Sequence, residues 1–263
     1  MSETKSQGFH IGGLNRNQMK YILILAMLID HIAWGFVEKA TPAWEVMHFF
    51  GRLTGPGMAF FLTEGFLHTR DVKKYTRRLG VFALISWPAF VYFGHGRPVI
   101  SIIEAGFAMK YSYITIPLLT SGKAILFYWR FGIIYTLFLA LLFLRVWTDA
   151  TMDPVRQSRL LVLLLVISIF GDWPGFVVLF AWIFYEHRNR PKTMWLLYCV
   201  VALFCFEFSG LNLDGIYSLG VLLVPLLMHF YNGERGSAHP FHKWVFYIFY
   251  PLHLLILGYF RWN

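Results

Sequence analysis

The chain alternates between long apolar blocks and short polar connectors. The blocks cover residues 21–37, 46–68, 79–93, 131–144, 160–185, 194–208, 215–231 and 244–260. An α-helix needs about 20 apolar residues to cross a bilayer, and the blocks approach or exceed that length. Block 46–68 is interrupted by Gly51, Arg52, Gly55, Pro56 and Gly57, and Pro56 predicts a kink. Gly51 and Gly55 form a small-xxx-small pair that admits a neighbouring backbone. Block 160–185 contains Gly171-Asp172-Trp173-Pro174-Gly175. It reads either as two short spans around a tight turn or as one long kinked span. Residues 94–130 mix Gly, Pro, Glu104, Lys110 and Lys123 with apolar pieces, and periodicity does not choose between an outer loop and a re-entrant segment. The pattern predicts an all-α transmembrane bundle of about nine spans, one domain over residues 1–263.

Composition agrees with that pattern. Hydrophobic residues make up 57% of the 263 and charged residues only 14%, against about 25% charged in a soluble domain. The net charge of +9 raises the possibility of a nucleic-acid partner. The basic residues instead gather in alternate connectors, as the positive-inside rule requires, and no basic face interleaved with aromatics forms a soluble module. No nucleic-acid partner is expected; membrane lipids are. The strongest cluster is Arg70, Lys73, Lys74, Arg77 and Arg78, which fixes that connector and the N-terminus in the cytosol and the C-terminus outside. No cleavable signal peptide is expected before the first block. Cys199 and Cys205 are about 9 Å apart along one helix, which predicts neither a disulfide nor a zinc site.

Against this apolar background a few ionisable residues stand out. Asp30 and His31 interrupt the first block. Charged and ionisable groups at mid-membrane cost several kcal/mol and mark functional sites unless they serve packing. His31 lies roughly 16 Å above Lys20, and His253 in the last block roughly 15 Å above Lys243, so the two histidines fall at one depth. Tyr247 and Tyr250 lie on the cytosolic side of His253. Arg52 lies roughly 27 Å from Arg70 and stands nearer the outside. Each has a plainer reading: a packing lock for Asp30-His31, a satisfied buried histidine for His253, an outward-snorkelling side chain for Arg52. Glu64 and His68 are i,i+4 neighbours near the cytosolic end.

The helix ending in Asp30-His31-Ile32, the GR-x-x-x-P of residues 51–56, FFLTEGFLHTR, RFGIIYTLFLALL and FYPLHLLIL resemble the TraX family, in the same order over most of the chain. That family includes the conjugative-pilus protein that acetylates the pilin N-terminus. The resemblance implies a multi-pass acyltransferase of the bacterial cytoplasmic (inner) membrane. Its donor would be cytosolic acetyl-CoA. Its acceptor would be an amine or hydroxyl in the envelope, on a pilin subunit or a surface or lipid-linked glycan. No metal is expected. On this reading His31 is the base or acyl carrier, Asp30 or another carboxylate orients it and His253 lines the same chamber. Arg52 binds an anionic acceptor group or the developing oxyanion. Arg70, Lys73, Lys74, Arg77 and Arg78 hold the donor's phosphates. Two other classes remain open: a proton-coupled transporter, and a non-catalytic assembly factor for a surface structure.

Overall fold

A computed structural model describes residues 13–103, 108–110, 113–117, 123–208 and 213–263. Residues 1–12, with Lys5, together with Glu104 and Asn212, lie outside the described residues.

Local chemistry sets the helix ends. Asn15 caps α1, Arg16–Phe36, and Gln18 returns the bond by accepting from the Asn15 N–H at 2.9 Å. The expected second helix is two: α2, Pro42–Gly51, and α3, Thr54–His68. The ring of a helical proline clashes with the carbonyl four residues back. For Pro56 that carbonyl belongs to Arg52, where the break falls, so Pro56 sits in the first turn of α3 rather than kinking a continuous helix. Asp71 caps α4, Val72–His95, by accepting from the Lys74 N–H at 2.8 Å, and Gly96 ends it with φ 63°.

The undecided section departs from a purely helical chain. It builds β1 Ile100–Ile103, β2 Ala108–Lys110, β3 Tyr113–Pro117 and β4 Ala124–Tyr128, an antiparallel sheet in the order β1-β4-β3-β2. The β-branched runs ISII and YITIP are the local strand signal. α5, Ile133–Trp147, follows. Block 160–185 takes the form of two short helices: α6, Pro154–Ile167, a 3-10 turn over Ser168–Phe170, then α7, Phe176–Glu186. α8 is Pro191–Phe208. A 3-10 stretch, Leu213–Leu222, leads into α9, Leu223–His229. α10, Pro240–Trp262, keeps Pro251 inside it.

The body is helical, as expected, but the helices do not amount to nine full crossings. Among the described residues only α1 and α10 are long and apolar enough to cross a membrane by length and composition. The other apolar blocks are broken, as at Arg52–Leu53 and around Gly171, or are shorter; α5 has 15 residues and α7 has 11. α4 has 24 residues, but its first two turns carry Lys73, Lys74, Arg77 and Arg78.

α1, α4 and α10 run side by side in one direction. Near their starts the Arg16 N–H donates to the Glu234 carbonyl at 2.8 Å and Arg78 Nε donates to the Tyr247 hydroxyl at 3.1 Å. At the far ends Trp262 Nε1 donates to the Phe93 carbonyl at 3.0 Å. The core between them and α3, α5 and α7 holds Met19, Leu23, Phe93, Phe180, Leu141, Leu144 and Tyr250. The outward faces stay apolar: Leu25, Leu84, Leu196 and Phe260 are all more than half exposed. Such continuous apolar exposure marks an interaction or membrane surface.

Candidate functional site

The two histidines that helix rise placed at one depth meet. His31 Nδ1 lies 3.3 Å from His253 Nε2, and the rings are 4.9 Å apart and nearly perpendicular. Each Nδ1 also reaches a carbonyl one turn back: His31 to Met27 at 2.8 Å, His253 to Phe249 at 2.8 Å. A carbonyl only accepts, so both Nδ1 atoms carry the proton in the neutral rings. His253 Nε2 then accepts from His31 Nδ1–H. The bare lone pair of the couple is His31 Nε2, the atom a base or acyl carrier needs.

Asp30 does something else. Its Oδ1 accepts from His48 Nδ1 at 2.8 Å and lies 3.7 Å from Arg52 Nη2. Adjacent residues on a helix point about 100° apart, so the carboxylate turns to α2 instead of to His31. The expectation that Asp30 or another carboxylate orients His31 thus finds the Asp30 carboxylate bonded to His48 instead. His48 is a site residue that sequence reasoning missed. It is 4% exposed, and its Nε2 is buried among Trp44 and Tyr217 without a hydrogen-bond partner. Gly51 makes the contact possible, because a Cβ there would overlap the Asp30 carboxylate. Gly55 serves a different neighbour: a Cβ there would come 2.8 Å from Trp173. Arg52 lies between the faces of Trp173 and Tyr217, at 5.3 and 5.0 Å, a cation–π sandwich that fixes the guanidinium.

Two cavities approach this centre. The larger, about 850 Å³, takes in Arg16, Lys20, Arg70, Arg78, Arg235 and Lys243 at its charged end. It reaches Met27, Thr54, Ile134 and Tyr250. Met27 supplies the carbonyl that holds His31, and the Tyr250 ring lies 6.3 Å from His31 and 5.6 Å from His253. Tyr250 is held in turn by α5: its hydroxyl accepts from the Ile133 N–H at 3.2 Å, over Gly132, where a Cβ would overlap it. Of the predicted donor-binding residues, Arg70 and Arg78 line this cavity, while Lys73, Lys74 and Arg77 stand exposed on α4 and do not. Arg78 is pinned between Tyr75 and Tyr247, 5.3 Å from each ring. Glu64 and His68 also line it, with His68 Nδ1 on the Glu64 carbonyl at 2.9 Å. The second cavity, about 590 Å³, is lined by Arg52, Arg130, Asp172 and Trp173 among others.

A family model described as TraX protein matches residues 15–261. The chain belongs to the TraX family. The TraX match spans every element that builds the site, from α1 to α10. This TraX chain is also 29% identical over 248 residues to a protein of Dichelobacter nodosus named "Probable fimbrial assembly protein FimC, serogroup H1", covering 91% of this chain and 93% of that one. No solved structure matches it. Among the described residues no group of His, Cys, Asp and Glu is arranged to hold a metal ion, and Cys199 and Cys205 form no disulfide.

Proposed function

We propose that this chain is a multi-pass acetyltransferase of the bacterial inner membrane, acting in the assembly of a pilus or related surface structure. It moves an acetyl group from cytosolic acetyl-CoA to an amine or hydroxyl of an envelope acceptor, a pilin N-terminus or a surface or lipid-linked glycan. One observation carries the reading. The basic cavity of about 850 Å³ runs from a ring of arginines and lysines to the residues that hold the His31–His253 couple. Its cations come from the start of α1, the α3–α4 connector and the first turns of α4, and the segment before α10 with its first turn, the regions that the charge pattern assigns to the cytosol. Arginines and lysines there suit a polyphosphate-bearing donor, and the apolar reach beyond them suits its thioester arm.

The chemistry follows from the free nitrogen. His31 Nε2 takes the proton of the attacking amine or hydroxyl. The carbonyl carbon forms its new C–N or C–O bond, the C–S bond breaks, and the proton passes to the departing thiolate. His253 Nε2 accepts the Nδ1 proton's hydrogen bond and steadies the imidazolium that forms in between. Arg52, held by Asp30, Trp173 and Tyr217, supplies fixed positive charge at the second cavity, where the acceptor would enter.

A second reading is a non-catalytic assembly factor, favoured by the name of the Dichelobacter relative. Incubating purified protein with labelled acetyl-CoA and an envelope fraction separates the two. Labelled acceptor supports the enzyme. Absence of label, from protein that restores surface-structure assembly in a deletion strain, leaves the assembly factor. Substrate accumulation in vesicles without a covalent product would instead identify a transporter.

A further inference from the structure

One face of the sheet is left largely open by the described residues. In the antiparallel register Ile100 pairs with Phe127 and Phe127 with Ile114, while Ile102 pairs with Ile125 and Ile125 with Ile116. Paired residues point to the same side of a sheet, and positions two apart share a face. These six residues therefore form two rows across three strands, without a polar side chain among them. Ile100, Ile102 and Ile116 are 60%, 66% and 48% exposed. The opposite face, with Leu126 and Tyr128, packs on Val91 of α4, and Tyr128 stacks on His95 at 4.3 Å. Ile100, Ile102 and Ile116 of these rows thus face outward, while Phe127 borders α4.

We infer that this face rests on the outer leaflet of the membrane, at the boundary between headgroups and acyl chains; the inference rests on the membrane part of the reading above. The observations favour lipid over a protein partner. The face borders an outward apolar surface: at its edge Phe127 meets partly buried Trp87 of α4 at 5.8 Å, and Leu84 and Ile85 of that helix are 64% and 52% exposed. α4 packs along α10, which is long and apolar enough to cross. Cations flank both ends of the rows. Exposed Arg97 lies just beyond the Ile100–Phe127 end, and exposed Lys123 precedes β4 at the other. An apolar face edged by tryptophan and basic side chains is the composition of an interfacial element, whose cations reach lipid phosphates. The depth follows from backbone chemistry. Among the described residues no strand pairs the outer side of β1, and the N–H and C=O groups along such an edge are not satisfied by hydrocarbon. The sheet therefore cannot sink to mid-membrane, and it lies flat with its edge in the wet headgroup layer.

The test uses the unaltered protein in phosphatidylcholine–phosphatidylglycerol vesicles. Lipids carrying a photoreactive diazirine, either near the headgroup or at the chain terminus, are activated, and the tagged residues are read by mass spectrometry. The shallow probe is expected to tag Ile100, Ile102 and Ile116, and the deep probe to tag mid-α1 at Leu25 but not the sheet. Tags on α1 and α10 with none on the sheet would overturn the inference and leave the membrane reading standing. Deep-probe tags on the sheet would overturn the interfacial depth. No lipid tags anywhere would overturn both. An Ile102→Asp variant is expected to lose the shallow tags on β1 while Leu25 stays tagged. Cross-links from the Ile rows to another protein, with lipid tags absent, would reassign the face to a partner.

Discussion

The proton arrangement in the histidine couple predicts unequal effects when each is removed. His31→Ala deletes the only bare nitrogen of the pair, and loss of a positioned general base lowers turnover by about 100-fold or more. His253→Ala leaves that nitrogen in place. It removes one acceptor from His31 Nδ1–H, at 3.3 Å, while the Met27 carbonyl at 2.8 Å still fixes the ring tautomer. A net hydrogen bond contributes about 0.5–1.5 kcal/mol, and about 1.4 kcal/mol is tenfold in rate. His253→Ala is therefore expected to cost up to about tenfold in turnover, at least an order of magnitude less than His31→Ala. Both variants should insert and elute as the wild type, because each replaces a buried imidazole with a small apolar side chain. The assay is transfer of labelled acetyl to acceptor at saturating donor and acceptor, on protein checked by size-exclusion chromatography. An equal or larger loss in His253→Ala would assign the reactive nitrogen to the wrong histidine. Near-normal turnover in well-folded His31→Ala would leave the couple as a packing device.

Other consequences are more local. Arg78→Gln, and separately Arg235→Gln, should raise the Michaelis constant for acetyl-CoA with little change in turnover, while the triple change of Lys73, Lys74 and Arg77 to Gln should leave it near wild type; donor-dependence curves of the purified variants decide between cavity and loop. Gly51→Ala should destabilise by about 1–3 kcal/mol, because its methyl overlaps the Asp30 carboxylate, and a thermal melt in detergent at an unchanged midpoint would refute that contact. A cysteine at Lys74 and one at Asn263 should react with impermeant reagents from opposite sides of the membrane, since α4 and α10 run in one direction and these positions lie at opposite ends of the pair. Labelling of both from the same side would refute that direction across the membrane.

What was legible in the chain was whatever depends on axial rise alone. Rise per residue is fixed, so the distances from Lys20 to His31 and from Lys243 to His253 already placed the two histidines at one depth, and the structure brings them to 3.3 Å. The charge pattern likewise grouped the connectors that meet at the basic cavity, through the positive-inside rule. It did not show which cations turn inward. Lys73, Lys74 and Arg77 share a connector with Arg70 and Arg78 yet lie on the exposed side of α4, and Arg16, Arg235 and Lys243 join the cavity from far along the chain. The sheet was hidden for a different reason. ISII and YITIP alternate over so few residues that surrounding helical blocks outweighed them.

Azimuth, unlike depth, is set by packing, and this is where adjacency in the chain misled. Asp30 and His31 look like a catalytic pair because they are neighbours, but neighbours on a helix diverge by about 100°. The partner of Asp30 is His48, eighteen positions on, brought in by the glycine at position 51. A signal for it was present: His48 and Arg52 are i,i+4 and share one face of the α2 end, so a carboxylate that meets one meets the other. The single motif Asp30-His31 thus serves two clusters. One face of α1 holds the histidine couple beside the basic cavity, and the next holds the carboxylate that anchors Arg52 at the second cavity. A group passing from one cavity toward the other would cross α1 at this one turn, which is a physical reason for two adjacent ionisable residues there when neither bonds the other's side chain.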